Sequence, residues 1–156
     1  MRFSHFALVA ASIVMAACGS DGSTAPGSPA LDTRLTAVIA APAVPMTGPM
    51  FTLRVDVTSA LTEVVTSSSC VDIIEARSAS GTTWTNVSVS PSVCNANILR
   101  LQPGQTVSLN AAVDLVKVRA LSGVSASAVF RVRNTFTGAN GSYTVQTAEA
   151  TLVVPN

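Results

Sequence analysis

Cysteine and histidine are the residue types in this chain that are best suited to covalent or metal chemistry. The cysteines are Cys18, Cys70 and Cys94, and the single histidine is His5. A cysteine can accept a lipid, pair in a disulfide or act as a nucleophile, but nucleophilic catalysis needs an activating base. Because His5 lies in the first residues of a predicted signal peptide, the sequence favours lipidation and cross-linking over catalysis.

The amino-terminal segment has the features of a signal peptide. Arg2 gives it a positive start, and residues 6–17 form an apolar run that only Ser12 interrupts. At about 12 residues the run is shorter than the roughly 20 residues of a spanning helix. Small residues end the run, and Cys18 follows them directly.

The sequence Met15-Ala16-Ala17-Cys18 resembles the lipobox of bacterial lipoproteins, which reads roughly Leu-(Ala/Ser)-(Gly/Ala)-Cys. Met15 stands where Leu is usual. The resemblance implies cleavage before Cys18, a diacylglycerol on its sulfur and anchoring to membrane lipid. Gly19, in place of Asp, favours the outer membrane by the same resemblance. The alternative is an ordinary secretory signal with a chance cysteine.

The predicted organisation has three parts. Residues 1–17 are the signal peptide, residues 18–30 are the lipidated cysteine with a tether rich in Gly, Ser and Pro, and residues 31–156 are a β-domain. The tether has no large apolar side chain and should behave as a flexible coil. We therefore expect a lipid-anchored protein of the cell envelope, with the side of the membrane that it faces left open.

The charge balance of the chain bears on the kind of partner that it can bind. Residues 18–156 hold eight basic and eight acidic side chains, whereas nucleic-acid binding calls for a basic excess. We expect no nucleic-acid partner.

Cys70 and Cys94 remain as an even pair in an exported protein, so a disulfide between them is the default. Closing a loop of about 25 residues would stabilise the fold by roughly 3–4 kcal/mol. Two free or metal-binding thiols are the alternative.

The β-domain shows the alternation of strands rather than the periodicity of helices. Val and Thr are abundant and turn residues recur every 8 to 12 residues, which is typical of an antiparallel sandwich. The predicted strands include Thr33–Ala40, Phe51–Val57, Cys70–Ala76, Trp84–Val89, Thr106–Val113, Leu115–Leu121, Ala126–Phe136 and Ser142–Val154. The Asn140-Gly141 pair predicts a hairpin turn. The fold class is therefore all-β, an antiparallel immunoglobulin-like sandwich of about seven to nine strands.

Three fragments resemble immunoglobulin-like sandwiches of bacterial surface proteins and the BsuPI-like domain of a proteinase inhibitor. They are Gly81-Thr82-Thr83-Trp84, Leu101-Gln102-Pro103-Gly104 and Gly141-Ser142-Tyr143. Each also has a structural explanation. Pro-Gly forms a turn, Trp84 is expected to fill the core, and Tyr143 is expected to bury its ring while its hydroxyl finds a partner. The resemblance implies the fold alone, because no inhibitory loop can be matched.

The sequence lacks the usual catalytic and metal-binding patterns, which predicts a non-enzymatic protein without cofactors or metals. There is no Ser-His-Asp arrangement, no nucleophile elbow and no phosphate loop.

The basic residues suggest one hypothesis about the surface of the domain. Lys117, Arg119, Arg131 and Arg133 occupy outward positions on two predicted strands. If these strands pair, the four side chains form a basic strip for acidic envelope polymer or lipid phosphate. A solvated face with edge protection is the alternative.

The sequence therefore predicts a non-catalytic binding or structural role in the envelope, with an envelope protein or polysaccharide as partner. The alternative is an inhibitor or chaperone-like domain that captures extended peptides by strand addition. An unpaired, uncharged edge strand would favour this alternative.

Overall fold

The computed structural model of the protein describes residues 30–42, 49–89, 97–121 and 127–154. These residues are nearly all β, as predicted, and form two antiparallel sheets. The described elements are β1 (Leu35–Pro42), β2 (Met50–Ser59), β3 (Val65–Ser68), β4 (Ile73–Ser78), β5 (Thr85–Asn86), β6 (Ile98–Leu101), β7 (Thr106–Asp114), α1 (Leu115–Arg119), β8 (Ser127–Gly138), β9 (Gly141–Gln146) and β10 (Ala150–Val153). No described helix is long and apolar enough to cross a membrane.

The smaller sheet has the order β1-β2-β7, with β2 in the middle. The predicted alternation of β2 is confirmed. Phe51, Leu53 and Val55 are buried, whereas Arg54 faces outward. Strand β7 pairs with β2 along nine consecutive residues of each strand. Because β1 and β7 pair with opposite sides of β2, β1 is a terminal strand of this sheet.

The larger sheet is organised around β8. Strands β4 and β3 pair with one edge of β8, and β9 and β10 pair with the other edge. Strands β5 and β6 extend the sheet beyond β4 and β3, respectively. The Asn140-Gly141 hairpin is confirmed between β8 and β9, and Gly141 has a positive φ of 137°. Such a φ favours glycine, which explains the residue at this turn.

The core lies between the two sheets. Phe51 of β2 meets Phe130 of β8 edge to face, with ring centroids 5.9 Å apart, a favourable arrangement for aromatic pairs. Val87 also connects the sheets. Its N–H donates to the Ile74 carbonyl at 2.8 Å, and its carbonyl accepts from Asp114 N–H at 2.9 Å. Both sheets therefore contribute apolar side chains to one core.

The predicted strand Leu115–Leu121 is wrong in its secondary structure, because Leu115–Arg119 is the helix α1. The Asp114 side chain accepts hydrogen bonds from the N–H groups of Val116 and Lys117 at 3.0 and 3.2 Å. This is the cap of a helix start. The spacing of the apolar residues fits a helix as well as a strand, since Leu115 and Val118, three positions apart, are both buried. The hydrogen bonds to the Asp114 side chain favour the helix over the strand.

The predicted closing strand Ser142–Val154 is divided into β9 and β10. At the break, Thr147 N–H donates to the Val132 carbonyl at 2.9 Å, and Val132 N–H donates to the Thr147 hydroxyl at 3.0 Å. The chain thus stays on β8 while its regular pairing is interrupted. This division and the two-residue β5 bring the described strands to ten.

Candidate functional site

Two of the three predicted covalent sites lie outside the described residues. Cys18 and Cys94 are among the positions that the structure does not describe. Cys70 follows β3 and forms an isolated parallel bridge with Asn110 of β7. The neighbouring Ser69 N–H donates to the Asn97 carbonyl at 2.8 Å. The chain three residues after Cys94 therefore runs beside Cys70, and the disulfide stays a prediction.

The four residues of the predicted basic strip occupy two different elements. Arg131 and Arg133 lie on β8, whereas Lys117 and Arg119 lie on α1. The strand pairing that would have joined them does not form, because residues 115–119 are helical. Lys117 Nζ donates to the Ser88 carbonyl at 2.8 Å and lies 4.0 Å from Asp114. The strip is therefore not one row of cations.

The two arginines on β8 have partners that neutralise part of their charge. Arg131 Nε donates to Glu75 Oε2 at 2.7 Å. Arg133 donates to Gln146 at 3.1 Å and lies 3.9 Å from the same glutamate. Glu75 is about four-fifths buried, like the two arginine side chains. This face of the larger sheet is a polar network rather than a free cationic surface.

Trp84 belongs to this network and not to the core, so its predicted place is wrong. The indole is half-buried on the outer face of the larger sheet. The Cζ atom of Arg131 lies 4.1 Å from the ring centroid, and that of Arg77 lies at 5.1 Å. Arg77 also pairs with Glu149 at 2.7 Å. The physical reason is that the loop before β5 folds over the sheet, where guanidinium groups cover the ring.

Tyr143 is placed as predicted, with a buried ring and a paired hydroxyl. The hydroxyl donates to the carboxylate of Glu63, which also accepts from the backbone and side-chain N–H groups of Asn140 at 3.2 and 3.0 Å. The Tyr143 hydroxyl, and then Asn140, hold the pKa of Glu63 below its ordinary value. The carboxylate raises the pKa of Tyr143 in return. These bonds tie the segment before β3 to the β8–β9 hairpin.

A groove of about 550 Å³ lies beside α1. Its walls carry hydroxyl groups from Thr82, Thr83 and Thr85 and the side chain of Lys117. The lysine amine already donates to a backbone carbonyl. No group of three or more His, Cys, Asp or Glu residues that could hold a metal occurs within the described ranges.

The outer edge of β1 has the clearest potential for binding. Strand β1 ends the smaller sheet, and in the described residues no strand pairs with its outer side. Ala60 N–H donates to the Arg34 carbonyl at 2.8 Å, which makes these two residues a hydrogen-bonded pair. Because such pairs alternate along an antiparallel ladder, Thr36 and Val38 bond to β2, and Ala37 and Ile39 direct their backbone groups outward.

Other terminal strands in the described residues are shorter, charged or covered. The outer side of β7 is covered, because backbone groups of residues 69, 87 and 89 bond to it. Strand β6 has four residues and includes Arg100, β10 has four residues and follows Glu149, and β5 has two. Strand β1 has eight residues and no charge. Its Val38 side chain is 60% exposed. Proteins usually protect long edges with charges, prolines or bulges. Here the protection is confined to the far end, where the register shifts between Ile39 and Pro42.

A second groove, of about 360 Å³, runs between β1 and β9. Buried residues form its floor, namely Leu35 and Ala37 of β1 and Val145 of β9. Leu31, which is 51% exposed, lies at its rim. At one end Asp32 N–H donates to the Thr144 carbonyl at 2.8 Å. The open backbone edge and this groove are therefore adjacent, and both belong to the side of the domain where β1 faces β9.

Comparison with known proteins shows the fold alone. No protein-family model matches the chain, and no curated protein matches it. The crystal structure of a Bordetella pertussis protein provisionally named ApaA is similar, with 18% identity and a TM-score of 0.52 over 82% of this chain and 99% of that one. A structural genomics target, SoR45, has 10% identity and a TM-score of 0.49 over 81% and 92%.

Sequence reasoning found β1 as a strand but not as the open edge. Residues Thr33–Ala40 were predicted to be extended, and Pro42 signals an edge nearby. What the sequence does not give is the order of strands in the sheet. The signal that favours an edge is the pair of prolines near the end of this segment, Pro42 within β1 and Pro45 after it.

Proposed function

We propose that this protein is a non-catalytic lipoprotein of the cell envelope whose β-domain captures an extended polypeptide segment at the outer edge of β1. The observation that carries the proposal is the direction of the backbone groups of Ala37 and Ile39, which point away from β2. An added strand would satisfy these groups through main-chain hydrogen bonds. This capture is the alternative that the sequence left open.

The anchor part of the proposal depends on the lipobox resemblance at Cys18. The membrane partner is lipid, held by acyl chains on this residue. Two or more acyl chains anchor a protein stably where a single chain does not. The described structure begins at Ala30, and β1 begins at Leu35. The proposed binding strand is thus the first strand described after the tether.

The domain type belongs to the proposal as well. We assign an immunoglobulin-like sandwich, related in fold to the BsuPI-like domain. Two antiparallel sheets with a shared core support this assignment. The Pro103-Gly104 turn between β6 and β7 supports it too, with Gly104 at a φ of 73°. Inhibitor activity is not part of the assignment.

A disulfide between Cys70 and Cys94 completes the proposed domain. Pairing of Ser68 with Ile98 brings the segment that follows Cys94 beside the segment that holds Cys70. An oxidising compartment would maintain the bond.

Hydrogen exchange on the full protein tests whether the edge is open. We expect the amides of Ala37 and Ile39 to exchange much faster than those of Thr36 and Val38, which bond to β2. Equal protection of all four amides would mean that another segment already covers the edge, and the proposal would fail.

Binding of a synthetic peptide tests the capture itself. The probe is Lys-Thr-Val-Thr-Val-Thr-Val-Thr-Lys, and a second version carries an N-methyl group on every Thr and Val, so that neither of its edges can donate hydrogen bonds. Binding by the first version and at least tenfold weaker binding by the second are expected. The variant Ala37→Pro removes an outward donor without removing a bond to β2 and should weaken binding similarly. Equal binding of both versions would exclude strand addition.

A further inference from the structure

The edge of β1 and the groove beside it lie on the same side of the domain, so one extended ligand can contact both. A strand paired with β1 would extend the smaller sheet across the groove between β1 and β9. Successive side chains of a strand point to opposite faces. Every second side chain of the added strand would therefore point toward the floor formed by Leu35, Ala37 and Val145.

The chemistry of the groove selects among extended segments. Its floor is apolar, and Leu31 adds apolar surface at the rim. The charged residues at this end, Asp32 and Arg34, pair with each other at 2.7 Å. The lining also includes Thr33 and Gln146, but a polar side chain above the apolar floor would lose water and find no partner on that floor, which is unfavourable. An apolar side chain would bury surface there instead.

The outward face of the added strand has different neighbours. Thr36 and Val38 are exposed on this face of β1. An added strand would place its other side chains beside these two residues, in contact with water. Polar β-branched residues such as Thr suit these positions, since they favour strands and tolerate solvent. The two faces of the ligand are thus subject to opposite requirements.

Resting on the proposed function, we infer that the captured segment is an extended peptide with alternating apolar and polar side chains, whose apolar residues cover the groove between β1 and β9. The occupant is a segment of another polypeptide. The outward backbone groups at Ala37 and Ile39 offer donors and acceptors at the regular spacing of a strand, which an extended main chain matches and a lipid or a sugar does not repeat.

Two peptides of identical composition and an all-Thr version test the inference on the full protein. The alternating probe Lys-Thr-Val-Thr-Val-Thr-Val-Thr-Lys is compared with Lys-Thr-Thr-Val-Val-Val-Thr-Thr-Lys and with an all-Thr version. We expect the alternating peptide to bind at least tenfold more tightly than either. Equal binding of all three would overturn the inference and leave strand addition intact. Binding by none would overturn the proposed function as well.

A variant at the rim separates the groove from the edge. Leu31→Glu places a charge at the groove, and it should weaken the alternating peptide about tenfold while hardly changing binding of the all-Thr peptide. Its matched control is Ile98→Glu, at a residue that is 80% exposed on β6, which should change neither. Equal weakening by both variants would overturn the inference. So would a stable dimer that Val38→Lys dissociates and that binds no peptide, because a second copy would then occupy the edge.

Discussion

The guanidinium group of Arg131 lies over the indole of Trp84, with Cζ 4.1 Å from the ring centroid. The same group donates to Glu75 at 2.7 Å. The arginine is therefore held between an aromatic face and a carboxylate on the outer surface of the larger sheet. Cation–π contacts contribute about 0.5–2 kcal/mol, depending on desolvation. This contact explains why Trp84, although only half-buried, lies beside a charged residue of β8.

A double-mutant cycle measures this relationship. Trp84→Ala and Arg131→Ala should each lower the free energy of unfolding, and the coupling between them should be about 0.5–2 kcal/mol. Urea unfolding followed by circular dichroism gives the four free energies. Arg119→Ala, on α1, is the control and should not couple to Trp84. Strict additivity of the two changes would show that the contact does not contribute to stability.

Charge reversal tests the basic-strip hypothesis. Because Arg131 and Arg133 share Glu75, the double variant Arg131→Glu/Arg133→Glu brings three carboxylates together. We expect lower stability, with binding of the folded variant to isolated envelope unchanged. Sedimentation of the variant with envelope preparations, at a temperature where it stays folded, provides the measurement. A loss of binding under those conditions would restore these two arginines as a binding surface.

The fold also shows which structural features local sequence patterns can and cannot predict. Alternation in β2 and the Asn140-Gly141 turn are local signals, and both are confirmed. Burial of the Tyr143 ring is confirmed as well. The placement of Trp84 failed because a large aromatic ring is apolar in any context, and only the arrangement of strands shows that two arginines cover it outside the core.

The helix α1 and the open edge of β1 were missed for related reasons. Residues 115–121 alternate acceptably for a strand, and the deciding signal is a single side chain, Asp114, at the helix start. The edge depends on which strands are neighbours, and pairing between β2 and β7 joins residues that are 48 to 64 positions apart. Local patterns do not encode such separations, so the candidate site could not be located before the fold was known.

Removal of the helix cap provides a direct test of α1. Asp114→Ala should destabilise the protein by about 0.5–2 kcal/mol, since two backbone N–H groups lose their acceptor. Asp114→Asn keeps an accepting oxygen and should recover most of the loss. Thermal unfolding of the three proteins compares them. Equal stability of the alanine variant and the unchanged protein would contradict a capping role.

The bond between Glu63 and Tyr143 predicts a pH dependence of stability. Since the pKa of Glu63 is lowered in the folded state from the ordinary value of 4.5, its contribution is fully present above that pH and is lost as the pH falls through the lowered folded pKa. The pKa of Tyr143 is raised from 10.0, so its contribution is lost as the pH rises through the raised value. The pair is thus intact between about pH 4.5 and 10.

The variant Glu63→Gln tests this dependence. It should lower the melting temperature at pH 7 and flatten the fall in stability below about pH 4.5, because the amide does not titrate there. Glu149→Gln is the matched control, as Glu149 is 53% exposed in its pair with Arg77. A Glu63→Gln variant that loses stability in acid as steeply as the unchanged protein would contradict the assigned role.

The anchor and the disulfide can be tested together by intact mass. The protein extracted from its native membrane should have the mass of residues 18–156 plus acyl chains, and reduction should add two hydrogen atoms. Because the bond closes a loop, Cys70→Ser should lower the free energy of unfolding by about 2–4 kcal/mol, and Cys94→Ser should have the same effect. A mass without acyl chains would exclude Cys18 as the anchor. It would also leave this cysteine as a third thiol able to pair, so the cross-link would then have to be mapped by peptide analysis before any pairing could be assigned.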